Sequence, residues 1–277
     1  TERPKPPFTT STMQQDAGSR LGWGAQITMR VAQRLYENGY ITYMRTDSIN
    51  LSQQAITAAR NAAKSLYGAD HVADAPRVYQ GKSKNAQEAH EAIRPTNLAL
   101  TPELAAPYID ERELKVYTLI WRRTIASQMP DKISASTTLI WSAGIDRLKT
   151  VATRTLEPGF TAVYLEGRDD EDEDAEAKVP DLPEGSKGNV ATVEGVAHAT
   201  KPEPRFTEPT LVKELEKHGI GRPSTYAAII STILSKGYVV KRGSALVPEW
   251  IAFTVTRFLE ENFGKLIDYE FTAAMEE

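Results

Sequence analysis

The sequence predicts an α+β fold in several domains, because the spacing of apolar residues changes twice along the chain. Apolar residues follow helical spacing up to Pro130, alternate with polar residues from Lys132, and return to helical spacing after a Pro-containing linker near residue 202. At 277 residues, the chain is long enough for two or three domains with cores of their own. We predict a helical domain, a β-rich domain and a second helical domain over residues 1–130, 131–200 and 201–277.

Composition excludes several classes of function. The net charge of −4 does not indicate a nucleic-acid binder by itself, so any basic surface must be local. The absence of cysteine excludes disulfides, thiol catalysis and cysteine-bound zinc within this sequence, and the four histidines lack metal-ligand spacing. No apolar run has the length of a membrane span, and no signal peptide is evident, so we expect a cytoplasmic protein. The missing initiator methionine suggests an internal fragment.

The first domain is predicted to be a set of capped helices after a Pro-rich linker. Gly39 should end the second helix in a left-handed cap, and Asp110 should begin the longest helix, which Pro130 stops. The predicted helices run from Ser11 or Thr12 to Ser19, over Ala25–Glu37, from Ser52 to Tyr67, and over Asp110–Met129. Between the last two, a polar loop or short helix should carry His90 and Arg94.

The second domain is predicted to contain short strands. Alternation of apolar and polar residues marks Ile133–Trp141, Arg147–Thr155, Phe160–Leu165 and Asn189–Val196. The acidic run Asp169–Asp174 could offer metal ligands, but consecutive acids followed by Ala, Lys and Pro are typical of a solvated loop. We interpret it as a surface loop.

The third domain is predicted to hold two helices, a hairpin and a final helix. Thr207 or Thr210 should cap a helix to His218, and Ser224 should cap one to Ser235. A hairpin about Gly243 and a helix over Ile251–Asn262 follow. Two helices and a hairpin resemble a winged helix-turn-helix, an arrangement that binds DNA in some proteins and is plain scaffold in others.

The candidate site lies in the string Gly-Tyr-Ile-Thr-Tyr-Met-Arg-Thr-Asp-Ser, residues 39–48. We predict a short strand over Tyr40–Met44 and a polar turn after it. Tyr43 and Arg45, two residues apart, should then share a face. A phenol beside a guanidinium can serve as a nucleophile beside a phosphate anchor, although a core tyrosine beside a solvated arginine has the same spacing.

The same string resembles the active-site segment of bacterial type IA DNA topoisomerases. The similarity continues in Gln-Glu-Ala-His-Glu-Ala-Ile-Arg-Pro at residues 87–95, and in two later strings. These are Leu-Val-Lys-Glu-Leu-Glu-Lys at residues 211–217 and Gly-Ile-Gly-Arg-Pro-Ser-Thr-Tyr at residues 219–226. Together they cover nearly the whole chain in the order of the family.

The resemblance assigns roles that the residues alone leave open. It implies that Tyr43 attacks DNA, that Arg45 and His90 act at the scissile phosphate, and that a segment around Arg222 contacts the strand. Without it, His90 could be a structural histidine and the Arg222 segment an ordinary helix cap, although a helix N-terminus also suits phosphate. The full set of expected DNA contacts is Arg45, Asp47, His90, Arg94, Arg222, Ser224 and Thr225.

The family relaxes supercoiled DNA through a tyrosine ester of the 5′-phosphate, without nucleotide fuel. Its magnesium ligands and its general acid belong to an N-terminal Toprim domain with a spaced Asp-x-Asp-x-Glu signature. In this sequence that spacing occurs only at Asp172, Asp174 and Glu176, at the end of the acidic run that we interpret as a surface loop. The resemblance therefore implies a monomeric enzyme acting on single-stranded DNA at the nucleoid. This chain would supply the nucleophile and part of the DNA groove, no metal ligands, and no turnover when isolated.

Other classes fit less well. A tyrosine recombinase places its Arg and His-x-x-Arg elements before a C-terminal tyrosine, whereas Tyr43 precedes His90 and Arg94 here. A non-catalytic fragment that binds single-stranded DNA remains an alternative, which formation of a covalent adduct would discriminate. A decatenating type IA relative is another, although the Met44-containing string favours the relaxing enzyme.

Overall fold

The structure is a computed structural model, and it describes residues 1–79, 91–164, 180 and 182–276. The helices are α1 (Thr10–Leu21), α2 (Ala25–Glu37), α3 (Gln53–Tyr67), α4 (Pro102–Ala105), α5 (Glu111–Ala126), α6 (Glu208–Lys217), α7 (Tyr226–Ser235), α8 (Trp250–Asn262) and α9 (Tyr269–Glu276). The strands are β1 (Ile133–Ala143), β2 (Asp146–Glu157), β3 (Val239–Arg242) and β4 (Ala245–Pro248). Short 3₁₀ turns occupy Ala69–His71, Gly159–Ala162 and Gly264–Ile267. This mixture confirms the predicted α+β class.

Helices α1, α2, α3 and α5 build the main core. Helix α5 contributes one face to this core, since Tyr117 and Ile125 are fully buried and Trp121 is nearly so. Asp110 caps α5 in a capping box with Glu113, as the sequence indicates. The start predicted for α1 is wrong, because Thr9 is the cap and forms its box with Thr12. Neither Ser11 nor Thr12 is the cap residue.

The β-rich region contains one long hairpin in its described part. Strands β1 and β2 pair antiparallel from the Ala143–Asp146 end to Ile133 and Glu157, with a register shift next to Ile133. The turn between them uses Gly144 at φ +65°, a conformation that glycine adopts without strain. Most of the hairpin is exposed.

The strand predicted over residues 160–165 is wrong. Phe160 lies in a 3₁₀ turn, donates its N–H to the Pro130 carbonyl at 3.0 Å, and is buried in the helical core together with Tyr164. Packing against distant helices has overridden the local alternation. Residues 189–196 also form no strand, because no partner among the described residues supplies a ladder. The acidic run Asp169–Asp174 lies outside the described residues.

The C-terminal region contains α6, α7, the β3–β4 hairpin, α8 and α9. The hairpin and the helix that follows it were predicted, and Thr207 caps α6 in a box with Thr210. Ser224 does not cap α7, which begins at Tyr226 with Thr225 in the cap position. Val212, Tyr226 and Ile230 pack against Ala25 at the start of α2, so the two helical regions are in contact. The domain boundaries remain predictions.

Within the described residues, no helix is both long enough and apolar enough to cross a membrane.

Candidate active site

The candidate tyrosine follows the end of α2. Gly39 adopts φ +78°, and the N–H groups of Gly39 and Tyr40 donate to the carbonyls of Tyr36 and Leu35, both at 2.9 Å. These paired bonds close the helix as a glycine cap does. The predicted left-handed cap is therefore confirmed, and it turns the chain sharply out of the helix just before Tyr43.

The predicted strand over Tyr40–Met44 is reduced to one bridge, between Ile41 and Pro95. This bridge keeps its two backbone bonds, since the N–H groups of Thr42 and Thr96 donate on either side of it. Toward Tyr43, the Thr42 side chain takes the place of the next backbone bonds of a ladder. Thr42 donates its backbone N–H to the Arg94 carbonyl at 2.9 Å, and its hydroxyl accepts from the Arg94 N–H at 3.0 Å and donates to the Ala92 carbonyl at 2.8 Å.

The extended segment nevertheless alternates between two faces. Its exposed residues are Tyr43, Arg45 and Asp47, and its buried residues are Met44, Thr46 and Ser48. Tyr43 as a whole residue is 41% exposed, and its ring packs edge-on against Tyr36 with centroids 5.1 Å apart. The predicted common face of Tyr43 and Arg45 is confirmed, and both side chains can meet a solvent-side ligand.

The buried face of the segment rests on the first turn of α1. The fully buried hydroxyl of Thr10 donates to the Met44 carbonyl at 2.7 Å and accepts from the Thr46 N–H at 2.9 Å. The backbone N–H of Thr10 donates to the Thr46 carbonyl at 2.9 Å. The predicted polar turn is present only as side-chain turns, because the Thr46 and Ser48 hydroxyls accept from backbone N–H groups two residues later and the backbone forms no hydrogen-bonded turn of its own.

Of the two site residues predicted in the stretch before Pro95, the structure describes Arg94 but not His90. His90 lies outside the described residues. Arg94 is ion-paired with Glu91 at 2.6 Å and also donates to the Pro95 carbonyl, and its side chain is only 17% exposed. The Glu91 carboxylate in turn accepts from the Ser52 N–H at 2.7 Å. Glu91 therefore fixes the Arg94 guanidinium and the start of α3 together.

Acidification should weaken this Glu91 network. Burial raises the pKa of the Glu91 carboxyl, but hydrogen bonds from Arg94 and Ser52 outweigh burial and leave the pKa below its ordinary value. A carboxyl with a lowered folded-state pKa stabilises the fold at neutral pH and loses that contribution as the pH falls through the lowered value. We expect Glu91→Gln to destabilise the protein by about 1 kcal/mol at neutral pH.

The deficit of Glu91→Gln relative to wild type should shrink as the pH falls below the ordinary carboxyl value of 4.5, measured by urea unfolding at several pH values. Glu194→Gln, at an exposed position, is the control and should behave as wild type throughout. A deficit of constant size down to the lowest pH would contradict the assignment.

The predicted phosphate site at residues 221–225 holds a carboxylate of the same chain. Gly221 donates its N–H to Glu276 Oε2 at 2.5 Å, and Arg222 lies 3.5 Å from the same oxygen. Arg222 also donates to the backbone carbonyls of Gly219, Gly221 and Glu276. Ser224 and Thr225 are exposed. This turn therefore accommodates an anion, as free N–H groups and a guanidinium should.

The turn depends on Gly221. Its φ is +82°, and a Cβ there would lie 2.8 Å from the Tyr226 ring. Burial raises the pKa of Tyr226 to about 12, with contributions from Glu216 and, more weakly, Asp47, opposed by Arg222. Asp47 is thus close enough to act electrostatically on Tyr226. The structure brings the Tyr43 segment and the Arg222 turn to one region.

Helix α1 links these two parts, which the sequence did not indicate. Ser11 donates to Glu216 Oε1 at 2.6 Å, and Gln15 donates to Glu216 Oε2 at 3.4 Å. Glu208, nearly buried, accepts from the Ala25 N–H at 2.8 Å and pairs with Lys241. The only sequence signal was the hydroxyl-rich run Thr9–Thr12, which predicts a helix cap and says nothing about its distant partners.

The described residues do not bring three or more His, Cys, Asp or Glu side chains together in a metal-binding group. We therefore assign no metal ligand within them.

Comparison with known proteins agrees with the geometry. A family model described as DNA topoisomerase matches residues 1–277. The chain belongs to the bacterial type IA DNA topoisomerase family. It is 52% identical to DNA topoisomerase 1 of Mycobacterium leprae over 286 aligned residues, which cover 100% of the chain and 30% of that relative. It is 50% identical to DNA topoisomerase 1 of Streptomyces coelicolor, covering 99% of the chain and 30% of the relative.

The fold comparison gives the same family. The full-length topoisomerase I of Thermotoga maritima superposes with a TM-score of 0.79 at 36% identity, covering 99% of this chain and 45% of that one. The chain thus spans about 30% of the length of the curated relatives it matches. The fold comparison confirms the predicted α+β fold of a type IA topoisomerase. Membership of the family removes the recombinase alternative.

Proposed function

We propose that this chain forms the catalytic-tyrosine part of a longer enzyme that relaxes negatively supercoiled DNA. The reaction would proceed by cleavage of one strand through a 5′-phosphotyrosine, passage of the other strand and religation, without ATP. The observation that carries the proposal is the exposed Tyr43, which shares a face with Arg45 on a segment whose other face is fixed. Exchange of one phosphodiester for another conserves the bond energy needed for religation.

In this proposal the Tyr43 oxygen attacks the scissile phosphorus, and the bond from phosphorus to the 3′-oxygen breaks. The phenol must lose its proton, and the leaving 3′-oxygen must gain one. Arg45 would bind the phosphate and stabilise its developing charge, because a planar guanidinium matches phosphate oxygens. His90 would hydrogen-bond the same phosphate.

Single-stranded DNA would continue from Tyr43 toward the Arg222 turn. The proposed contacts are Asp47, Arg94, Arg222, Ser224 and Thr225. The bonds of Thr10 to Met44 and of Ser11 to Glu216, together with the anion held at Gly221, support this path. The Glu276 carboxylate occupies the position that a phosphate would take at Gly221, so the two would compete.

The complete enzyme would require groups that this chain does not provide. We propose that magnesium and the acid that protonates the 3′-oxygen are held by an N-terminal Toprim domain of the same polypeptide. No step is assigned to a metal bound by the residues described above. The enzyme would act as a monomer on the DNA of the cytoplasmic nucleoid.

The test is to compare the chain alone with the longer protein. Positioned acid catalysis contributes roughly 10²–10⁴-fold, so the chain alone should bind single-stranded oligonucleotide weakly and neither relax plasmid nor form measurable adduct. The longer protein should do both with magnesium, and a separately expressed Toprim piece should restore some cleavage if it docks. Labelled oligonucleotide and denaturing electrophoresis report the adduct.

Relaxation by the chain alone would contradict the proposed division of labour. Binding by the longer protein with no adduct under any condition would favour the non-catalytic alternative. Decatenation faster than relaxation would favour the other branch of the family.

A further inference from the structure

We propose that Thr10 is a positioning residue that sets the orientation of Tyr43 and Arg45 at the DNA phosphate. The inference rests on the proposed function of Tyr43, but the observation that carries it is separate. One buried hydroxyl contacts both peptide groups that flank the Cα of Arg45. It donates to the Met44 carbonyl on one side and accepts from the Thr46 N–H on the other.

These two bonds use the hydroxyl both as a donor and as an acceptor, and its oxygen also lies 3.1 Å from the Thr46 carbonyl. A hydroxyl can donate one hydrogen and accept on its lone pairs at once, whereas a methyl group can do neither. Valine has the same shape as threonine, so it would fill the space but leave the Met44 carbonyl and the Thr46 N–H without their side-chain partner. The peptide groups on both sides of Arg45 could then rotate.

The position of these bonds matters because no strand ladder holds this part of the segment. The bridge at Ile41 lies before Tyr43, and the backbone of Met44 and Thr46 is bonded to Thr10 instead. Fixing this backbone also fixes the directions in which the flanking side chains leave it. A displacement of about 1 Å at a reacting centre can cost on the order of 10² in rate.

The first turn of α1 also connects the Tyr43 segment to the Arg222 turn. Thr10 is the first residue of α1, whose next residue, Ser11, binds Glu216 at 2.6 Å. Glu216 lies in α6, and the chain leaves α6 directly into the turn that contains Arg222. The first turn of α1 is therefore a common reference for the tyrosine and for the proposed strand-binding turn.

The experiment compares Thr10→Val, Thr10→Ser and Thr124→Val in the longer protein. Thr124 is the matched control, because it is equally buried and its hydroxyl donates only to the Ile120 carbonyl of its own helix in the described contacts. We expect Thr10→Val to slow adduct formation at saturating oligonucleotide by about 10–10²-fold, with an oligonucleotide Kd within about twofold of wild type. Thr10→Ser should retain most of the rate, and Thr124→Val should match wild type.

Several outcomes would overturn the inference. Equal rates for Thr10→Val and wild type would remove Thr10 from positioning, and a rate for Thr10→Ser as low as that of Thr10→Val would make the methyl group, not the hydroxyl, responsible. A proportional loss in Thr124→Val would indicate a general packing effect. If Thr10→Val does not fold, the smaller Thr10→Ala takes its place under the same criteria. A wild-type protein that forms no adduct would instead reject the proposed function.

Discussion

Replacing Tyr43 with phenylalanine in the longer protein should abolish the covalent DNA adduct and plasmid relaxation while leaving folding and single-strand binding intact. Only the attacking oxygen is removed, and the ring can keep its edge-on contact with Tyr36. We expect loss of adduct to below detection on denaturing electrophoresis, with an unchanged unfolding midpoint and oligonucleotide Kd.

Two neighbouring tyrosines provide matched controls for that result. Tyr36→Phe alters the ring that packs on Tyr43, and Tyr40→Phe alters a ring that packs edge-on against Tyr117 at 6.3 Å. Both variants should still form the adduct. An adduct that persists in Tyr43→Phe would place the nucleophile elsewhere, with Tyr40 the first residue to test.

Arg45 should have the second largest effect. Losing a preorganised charge donor typically costs ~10²–10³ in rate, so Arg45→Ala should slow cleavage by that factor with unchanged thermal stability. Arg45→Lys keeps the charge but loses the planar guanidinium. Its cleavage rate should therefore lie between those of wild type and Arg45→Ala. Single-turnover cleavage of labelled oligonucleotide measures the rates directly.

Arg112→Ala, at an exposed position on α5, is the control for loss of one positive charge. It should cleave at the wild-type rate. Equal cleavage rates for the wild type, Arg45→Lys and Arg45→Ala would show that Arg45 does not act on the phosphate.

The sequence predicted the helices well because their signals are local. The glycine cap at Gly39 and the helix start at Asp110 involve residues within one helical turn, and the structure has both at the predicted positions. The shared face of Tyr43 and Arg45 was also predictable, since it follows from extended geometry alone. The outcomes for these features did not depend on distant parts of the chain.

Apart from the cap residues of α1 and α7, the errors arose where distant residues decide the backbone. The Thr42 hydroxyl ends the pairing of the Tyr43 segment by accepting the Arg94 N–H, and Phe160 leaves the hairpin to join the helical core. Thr10 reaches Met44 across 34 positions of sequence, and no periodicity reports such a contact. The roles of His90 and Arg222 came from family resemblance and remain predictions.

The way the Tyr43 segment is held limits where the proposed nucleophile can be aligned in this protein. Residues 39–48 take their shape from the start of α1 on one side and from the Ala92–Thr96 stretch on the other. Grafting that string alone into another scaffold would transfer the phenol without its supports. A chain that has not yet brought the three stretches together would likewise lack an aligned nucleophile. Alignment of the proposed nucleophile is thereby coupled to completion of the fold.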